Sequence, residues 1–290
     1  MKIVTVGASG LLGSVLVPAL KLAGHSISTV GRSLTNDFRC DVGNLTSVSS
    51  LLNELQPDVL INLVALTDVD LCESDPRQAF SVNVRALENI VSWIESAPKN
   101  CHLVHISTDQ VYDGPGPHCE DEVMLTNYYS FSKYAAELAA LRVNSTILRT
   151  NFFGKSMCDH RSSFTDWVHH NASTNRNIVL FSDVFFSPLS MATLAEMIIL
   201  VVSQKPSGVF NLGSNCGLSK SEFSILFMKK LKFGMANIEV ASIGDVSFMK
   251  TYRPRDMRLN VTKFEQKLDV CLPTLEAEIN RIIGDYDEKT

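Results

Sequence analysis

A tyrosine and a lysine four residues apart are the side chains of this sequence best suited to acid–base chemistry. Tyr129 and Lys133 lie in the stretch 128–140, whose Ala, Leu, Glu and Lys content favours a helix. Side chains at i and i+4 of a helix share one face, with Cβ atoms about 6 Å apart. A neighbouring ammonium lowers the pKa of a phenol, so Tyr129 is predicted to protonate a carbonyl oxygen while hydride reaches the carbon. The alternative is a chance pairing on one helix face.

Polar residues follow a predicted strand in the segment 105–114, which reads His-Ile-Ser-Thr-Asp-Gln-Val-Tyr-Asp-Gly. Ligands of open parallel sheets collect at the carboxyl ends of the strands. We therefore expect Thr108 to hydrogen-bond a substrate carbonyl beside Tyr129, which completes a Thr/Tyr/Lys set. Asp109 is expected to contact substrate hydroxyls. The alternative for both residues is a turn or a helix cap at the strand exit.

A glycine-rich turn between the first strand and the first helix predicts a dinucleotide site. Gly7 allows the tight turn, Gly10 the close approach of a pyrophosphate, and Gly13 the packing of helix on strand. The helix N-terminus offers positive potential to phosphates. No Gly-Lys-Ser/Thr follows, which excludes a P-loop, and the alternative is a turn that only packs the helix. The full run is Gly7-Ala8-Ser9-Gly10-Leu11-Leu12-Gly13, with G-x-x-G-x-x-G spacing.

The end of the second predicted strand indicates which dinucleotide is preferred. Enzymes that prefer NAD place Asp or Glu there to bind the ribose 2′-hydroxyl, whereas this chain reads Thr-Val-Gly-Arg-Ser over 29–33. Arg32 offers a charge-assisted partner for a 2′-phosphate. The sequence favours NADPH and leaves NADH open, because Arg32 is also compatible with a solvated surface charge.

These residues need a parallel sheet whose strands end at one edge. Near-continuous apolar runs that alternate with helical patterns predict a doubly wound α/β protein with a parallel Rossmann sheet. The runs are Lys2–Val6, Ser26–Val30, Asp58–Val64, Leu103–Ile106 and Thr146–Leu148. We expect residues 1–154, with a returning segment at about 177–205, to form an NADP-binding domain. Residues at about 155–176 and 206–290 are expected to form a smaller, irregular C-terminal lobe that binds substrate.

Composition limits the partners. The 290 residues are 45% hydrophobic and carry a formal net charge of −5, so a packed core is expected and nucleic acid is not an expected partner. The seven cysteines occur singly, which fits a reducing, cytoplasmic setting and predicts no metal site. Met191–Val202 is about half the length of a membrane span and contains Glu196. No membrane segment or signal peptide is expected.

Taken in chain order, these segments resemble the dTDP-4-dehydrorhamnose reductase family of the extended short-chain dehydrogenases/reductases. The glycine loop is similar to that family's nucleotide loop, and 56–70 to its R-P-D-V run. Residues 105–114 resemble its S-T-D-Y-V-F-x-G signature, and 127–133 its N-x-Y-G-x-x-K segment. Residues 148–152 and 253–264 resemble its R-T-x-W segment and the R-P segment that follows it.

The resemblance implies an NAD(P)-dependent oxidoreductase of nucleotide-sugar and polysaccharide biosynthesis. The reaction would be NADPH-dependent reduction of the C4 ketone of a 4-keto-6-deoxy sugar nucleotide, as in dTDP-rhamnose formation. Thr108, Tyr129 and Lys133 would be the catalytic residues. The expected substrate contacts are Thr108, Asp109, Phe152 and Arg253. The expected cofactor contacts, from the loop and the resemblance together, are Gly7, Ser9, Gly10, Leu11, Leu12, Gly13, Arg32, Asp41, Val42, Ala65, Leu66, Thr67, Tyr129 and Lys133.

Some positions depart from the family pattern, and two other functions stay open. Gln110 replaces an aromatic residue and Phe152 a tryptophan near the sugar, which leaves the sugar and the nucleotide undetermined. One alternative is a non-catalytic NADP-binding regulatory subunit, similar to the methionine adenosyltransferase β subunit, whose C-terminal segment resembles Arg253–Lys263. Another is a nucleotide-sugar epimerase that retains NAD. The presence of all three polar catalytic residues favours an enzyme, and a homodimer is an open possibility.

Overall fold

The protein is described by a computed structural model that covers residues 1–158 and 160–287. The strands are β1 (Lys2–Val6), β2 (Ser26–Gly31), β3 (Phe38–Arg39), β4 (Val59–Asn62), β5 (His102–Ile106), β6 (Ser145–Thr150), β7 (Phe152–Phe153), β8 (Ile178–Phe181), β9 (Phe185–Phe186), β10 (Leu189–Ser190), β11 (Gly208–Leu212), β12 (Leu218–Ser219) and β13 (Ile238–Ala241). The helices are α1 (Leu11–Leu22), α2 (Leu45–Leu55), α3 (Val69–Ser74), α4 (Pro76–Ala79), α5 (Ala86–Ser96), α6 (Tyr128–Ala140), α7 (Phe164–Ser173), α8 (Met191–Gln204), α9 (Lys220–Lys230), α10 (Thr262–Leu268) and α11 (Leu275–Tyr286).

The main sheet has seven strands in the order β11-β6-β5-β4-β1-β2-β3, and the predicted site residues follow the carboxyl ends of its strands. All six of its strand pairings are parallel. The strand order reverses direction between β1 and β4, which flank each other although β2 and β3 lie between them in sequence. In open α/β sheets the ligand crevice lies at such a switch point, outside the carboxyl ends of the strands. The predicted doubly wound parallel sheet is confirmed.

Helices cover both faces of this sheet, which explains the continuous apolar character of its strands. Apolar side chains of α1, α8 and α10 form the core on one face. Those of α2, α5 and α6 form the core on the other. Local signals set several helix starts: Asp75 caps α4 by accepting from the Gln78 N–H, and Ser219 with Glu222 forms a capping box on α9.

A smaller lobe packs around an aromatic core. Its elements are α7, β8, β9, α9, β13 and α11, which share a cluster of buried apolar residues. The Phe153 and Phe223 rings meet edge to face with centroids 4.9 Å apart, and Phe186 lies 5.3 Å from Phe223. The pairing of β8 with β13 is parallel. This lobe stands beside the carboxyl edge of the sheet.

The sheet topology revises the expected division of the chain. The segment 206–290 was expected in the smaller lobe, but β11 pairs with β6 as the edge strand of the main sheet. Phe210 and Leu212 of β11 are buried in the core that α8 and α10 share, so burial draws this strand away from the lobe. Conversely, β8 and β9 of the segment 177–205 pack in the lobe. Within that segment α8 packs on α1, as an element of the dinucleotide domain should.

A buried ion pair joins α6 to β6. Arg149 donates to Glu137 from Nη2 at 2.6 Å and from Nε at 3.0 Å, and both side chains are almost fully buried. The Ser107 hydroxyl also donates to Glu137. Arg149 Nη1 donates to the Tyr112 hydroxyl at 2.7 Å, and that hydroxyl donates to Asn211 of β11 at 2.7 Å. The network ties α6 to the strands β6 and β11 and to the segment that follows β5.

Among residues 1–158 and 160–287, no helix combines the length and the apolar character that crossing a membrane requires.

We expect Arg149→Met to lower the free energy of unfolding by about 3–5 kcal/mol, because it leaves the Glu137 carboxylate buried without its partner. Urea unfolding measures the change. Arg142→Met is the matched control: Arg142 pairs with Glu95 on the surface, and its loss should cost at most about 1 kcal/mol. A similar, small effect for both variants would contradict a structural role for the buried pair.

We expect Gly13→Ala to destabilise the protein by about 1–3 kcal/mol, because a Cβ at Gly13 would lie 2.2 Å from the Ala8 main-chain oxygen. Gly284→Ala in α11 is the control, since nothing lies within 4 Å of its added Cβ. That variant should gain up to about 1 kcal/mol from helix propensity. Thermal and urea unfolding of both variants test the difference, and equal stability of Gly13→Ala and wild type would contradict it.

Candidate active site

Two adjoining cavities follow the carboxyl edge of the sheet. The larger, about 590 Å³, extends from the glycine loop to Arg32 and the Asp41–Asn44 turn. The smaller, about 270 Å³, extends from the same loop to Thr108, Tyr129 and Lys133. Both touch Gly7 after β1 and Ala65 after β4. The site therefore lies at the switch point between these two strands.

The glycine loop fits a diphosphate. Gly7 adopts φ +82°, where a glycine is favoured. At Gly10 the space above the main chain is open, because an added Cβ would meet only the Gly7 oxygen, at 3.5 Å. A ligand can therefore approach the main chain closely at this residue. No side chain caps α1 at Gly10, and its first turn has no acidic residue. The first N–H groups of a helix lack intrahelical partners, so they are available here to an anion.

The cavities bring together all but one of the residues expected to contact a cofactor. Those on the larger cavity include Ser9, Arg32, Asp41 and Val42. Those on the smaller cavity are Gly7, Gly10, Leu11, Leu12, Gly13, Ala65, Thr67, Tyr129 and Lys133. Leu66 lines neither. Its side chain packs in a small apolar cluster with Val69 and Tyr129 instead.

Asn83, which the sequence patterns did not single out, positions this part of the site. It lies in a π-helical turn, Phe80–Arg85, between α4 and α5. Its amide accepts from the Leu66 N–H at 2.7 Å and donates to the Leu66 oxygen at 3.1 Å and to the Ser132 hydroxyl at 2.8 Å. Asn83 thus fixes the segment after β4 against α6, one residue before Lys133. No local motif marks an amide whose partners are 17 and 49 residues away.

Tyr129 and Lys133 are both buried on α6, one turn apart. Lys133 Nζ donates to the Ile106 main-chain oxygen at 2.7 Å, and burial lowers the pKa of this ammonium to about 8. Burial raises the pKa of Tyr129, and contact with the Thr108 hydroxyl acts in the opposite direction. The expected net lowering of the pKa of this phenol is therefore wrong for this structure, because desolvation of the phenolate outweighs the contributions that lower the pKa.

Thr108 occupies the cap position that was its alternative, and it also faces the smaller cavity. Its hydroxyl accepts from the Gln110 N–H at 3.2 Å as the cap of a short 3₁₀ turn, Asp109–Val111. It also lines the smaller cavity beside Tyr129. Asp109 lies next to it, buried, and accepts from the Asn151 amide at 2.7 Å. Burial raises the pKa of Asp109 to about 6.

A third cavity, about 240 Å³, extends the site into the smaller lobe. Gln110 and Asn151 line both this cavity and the one that holds Tyr129. Its wall is largely apolar and aromatic, with Phe164, Trp167 and Phe181. Of the expected substrate residues, Arg253 lines this third cavity, whereas Thr108, Asp109 and Phe152 line the second. The structure therefore divides the expected substrate set between two connected spaces.

Two cations face the third cavity. Arg253 Nη2 pairs with Asp70 at 2.9 Å. Lys220, the first residue of α9, places Nζ 3.4 Å from the Phe186 ring centroid and 4.4 Å from that of Phe164. Burial lowers the pKa of Lys220 to about 8, and the Asp109 carboxylate raises it. The capping box located Lys220 on α9, but only the packing of the lobe brings it to the site.

Known proteins agree with this fold. A curated relative from Haloferax volcanii, named a probable low-salt glycan biosynthesis reductase, is 30% identical over 97% of each chain. An Escherichia coli relative named dTDP-4-dehydrorhamnose reductase is 25% identical over 98% of each chain. The crystal structure of a Bacillus anthracis dTDP-4-dehydrorhamnose reductase in complex with NADP superposes with a TM-score of 0.88 at 22% identity, covering 98% of this chain and 99% of that one.

These relatives confirm the predicted family resemblance and fold, and their reductase names agree with the predicted oxidoreductase class. The family model described as the RmlD substrate binding domain matches residues 1–288, so the chain belongs to this family.

Proposed function

We propose that this protein is an NADPH-dependent reductase of the C4 ketone of a 4-keto-6-deoxy sugar nucleotide. One observation carries the proposal: Thr108, Tyr129 and Lys133 share a cavity with the uncapped glycine loop. A proton donor, a carbonyl-orienting hydroxyl and a dinucleotide site therefore meet in one space. The names of the curated relatives support a reductase of glycan precursors.

The residues present fit a dinucleotide. The open face of Gly10 and the free N–H groups of α1 would hold the diphosphate. Arg32, at the far end of the larger cavity, would bind the 2′-phosphate of NADPH, and Lys133 would donate to a ribose hydroxyl. The NADP in the Bacillus anthracis neighbour supports this cofactor. When bound, the cofactor supplies the hydride.

The protein's own residues supply the proton. A phenol keeps its proton at neutral pH, and burial raises the pKa of Tyr129 further, so Tyr129 is present as a general acid toward the ketone oxygen. The Thr108 hydroxyl orients that oxygen. After the transfer, the adjacent Lys133 ammonium stabilises the phenolate, and its bond to the Ile106 oxygen holds it in place.

The third cavity suits the remainder of a nucleotide sugar. Its flat aromatic side chains, Phe164, Trp167 and Phe181, offer faces on which a nucleobase can stack. Arg253 and Lys220 add positive charge for the sugar-linked phosphates. A sugar that reaches Tyr129 would pass Gln110 and Asn151, which line both cavities. The residues that differ from the family pattern, Gln110 and Phe152, stand along this path.

We expect Tyr129→Phe to lower the rate of NADPH oxidation with 4-keto sugar nucleotides at least about 100-fold, because it removes the proton donor. Loss of NADPH absorbance with dTDP-, UDP- and GDP-linked 4-keto-6-deoxy sugars measures the rate. NADPH binding, followed by fluorescence, should persist in the variant. Tyr128→Phe is the matched control: it removes the same hydroxyl one residue earlier, on the exposed side of α6, and should leave the rate unchanged.

The same assay separates the alternatives. Wild-type protein that binds NADPH but reduces none of the ketones would favour a non-catalytic binding subunit. Co-purified NAD with interconversion of sugar epimers and no net NADPH consumption would favour an epimerase. Equal rates for Tyr129→Phe and wild type would contradict the assignment of Tyr129.

A further inference from the structure

Arg161 stands at the boundary between the two cavities assigned to the cofactor. It belongs to the connection from β7 to α7, in the smaller lobe, and lines both cavities. The residues common to the two cavities are Gly7, Gly10, Leu63, Ala65 and Arg161. Of these five residues, all within the part of the chain that the structure describes, only Arg161 is charged. The other four surround the N-terminus of α1 and the exit of β4.

The loop that carries Arg161 is tied down on both sides. On the sheet side, Cys158 Sγ donates to the Ser9 oxygen of the glycine loop at 3.5 Å. Within the loop, the Ser156 hydroxyl donates to the Arg161 oxygen at 2.5 Å. Two residues later Ser163 begins the capping box of α7. These contacts hold the Arg161 main chain beside the glycine loop, although the loop belongs to the other lobe.

The charge of Arg161 is uncompensated within the described chain. The residue is exposed, and its guanidinium forms no ion pair with residues 1–158 or 160–287. The other cations of the two cavities are elsewhere: Arg32 lines only the larger cavity, and Lys133 lines only the smaller, where Ile106 accepts from it. The boundary itself combines the free helix N–H groups with one arginine. Both favour an anion at this point.

We propose that Arg161 binds the diphosphate of the dinucleotide and so supplies a cofactor contact from the substrate-binding lobe. The proposal rests on the proposed cofactor site. The diphosphate is the part of a dinucleotide that joins its two nucleosides, and the boundary is the point where an occupant of both cavities must cross. A guanidinium binds phosphate oxygens in a bidentate manner. Arg32, at the far end, is assigned a different group, the 2′-phosphate.

Because the two arginines are assigned to different phosphate groups, substituting each of them should weaken the binding of different ligands. NADPH and NADH share the diphosphate, so Arg161→Gln should weaken the binding of both by the same factor, about 10- to 100-fold. Adenosine 2′-monophosphate carries the 2′-phosphate but neither phosphate of the diphosphate, so it should bind the variant as it binds the wild type. Arg32→Gln should weaken the binding of NADPH and of adenosine 2′-monophosphate, while it leaves the binding of NADH unchanged.

Fluorescence titration of the full chain with NADPH and NADH, and calorimetry with adenosine 2′-monophosphate, measure these affinities. Lys155→Gln is the matched control, because Lys155 is a cation of the same loop that lines neither cavity and donates to the Asp285 oxygen. It should bind all three ligands normally. Arg161→Lys, which keeps the charge, should recover part of the dinucleotide affinity, and unchanged melting temperatures establish that the variants are folded.

Two results would overturn the proposal while the proposed function stands: wild-type affinity of Arg161→Gln for both dinucleotides, or a loss confined to NADPH, which would place Arg161 on the 2′-phosphate. Failure of the wild-type protein to bind either dinucleotide would instead overturn the proposed function, and the diphosphate assignment with it.

Discussion

The buried pair of Glu137 and Arg149 is the interaction on which the geometry of the site depends. Glu137 comes from the helix that carries Tyr129 and Lys133, and Arg149 from the strand beside β5, which ends two residues before Thr108. Two charges so deeply buried are tolerated only when each has its partner and its remaining hydrogen bonds. Ser107 and Tyr112 supply those bonds. The pair therefore holds α6 in one position relative to the sheet edge.

The two lobes contribute different parts of the site. The sheet and its helices supply the glycine loop, the proton donor and the hydroxyl beside it. The smaller lobe and the segment that follows β13 supply aromatic faces and three cations, Arg161, Lys220 and Arg253. Asn151 connects the halves, because it follows β6 and donates to Asp109 while it also lines the lobe cavity. A ligand that fills the cavities would contact both lobes.

Several cations line the cavities, although the net charge of the molecule is negative. The chain carries a formal net charge of −5, yet the cavities hold Arg32, Lys133, Arg161, Lys220 and Arg253 and the positive end of α1. A long polyanion would extend beyond the cavities and be repelled by the negative charge of the rest of the surface. A dinucleotide or a nucleotide sugar is short enough to be bound by these local charges alone. Net charge therefore bears on the length of the anionic ligand rather than on its sign.

The sequence by itself determined the parallel sheet, the glycine loop, the spacing of Tyr129 and Lys133, and the caps of α4 and α9. Each depends on residues close in the chain, through helix periodicity, strand hydrophobicity or turn chemistry. Only the tertiary structure decided that β11 joins the sheet, that Asn83 fixes the segment after β4, and that Lys220 and Arg161 face the site. It also decided the pKa of Tyr129, which burial raises although a lysine stands one turn away. The physical reason is common to all of these: desolvation and long-range packing depend on residues that are distant in the chain, so local sequence patterns do not predict them.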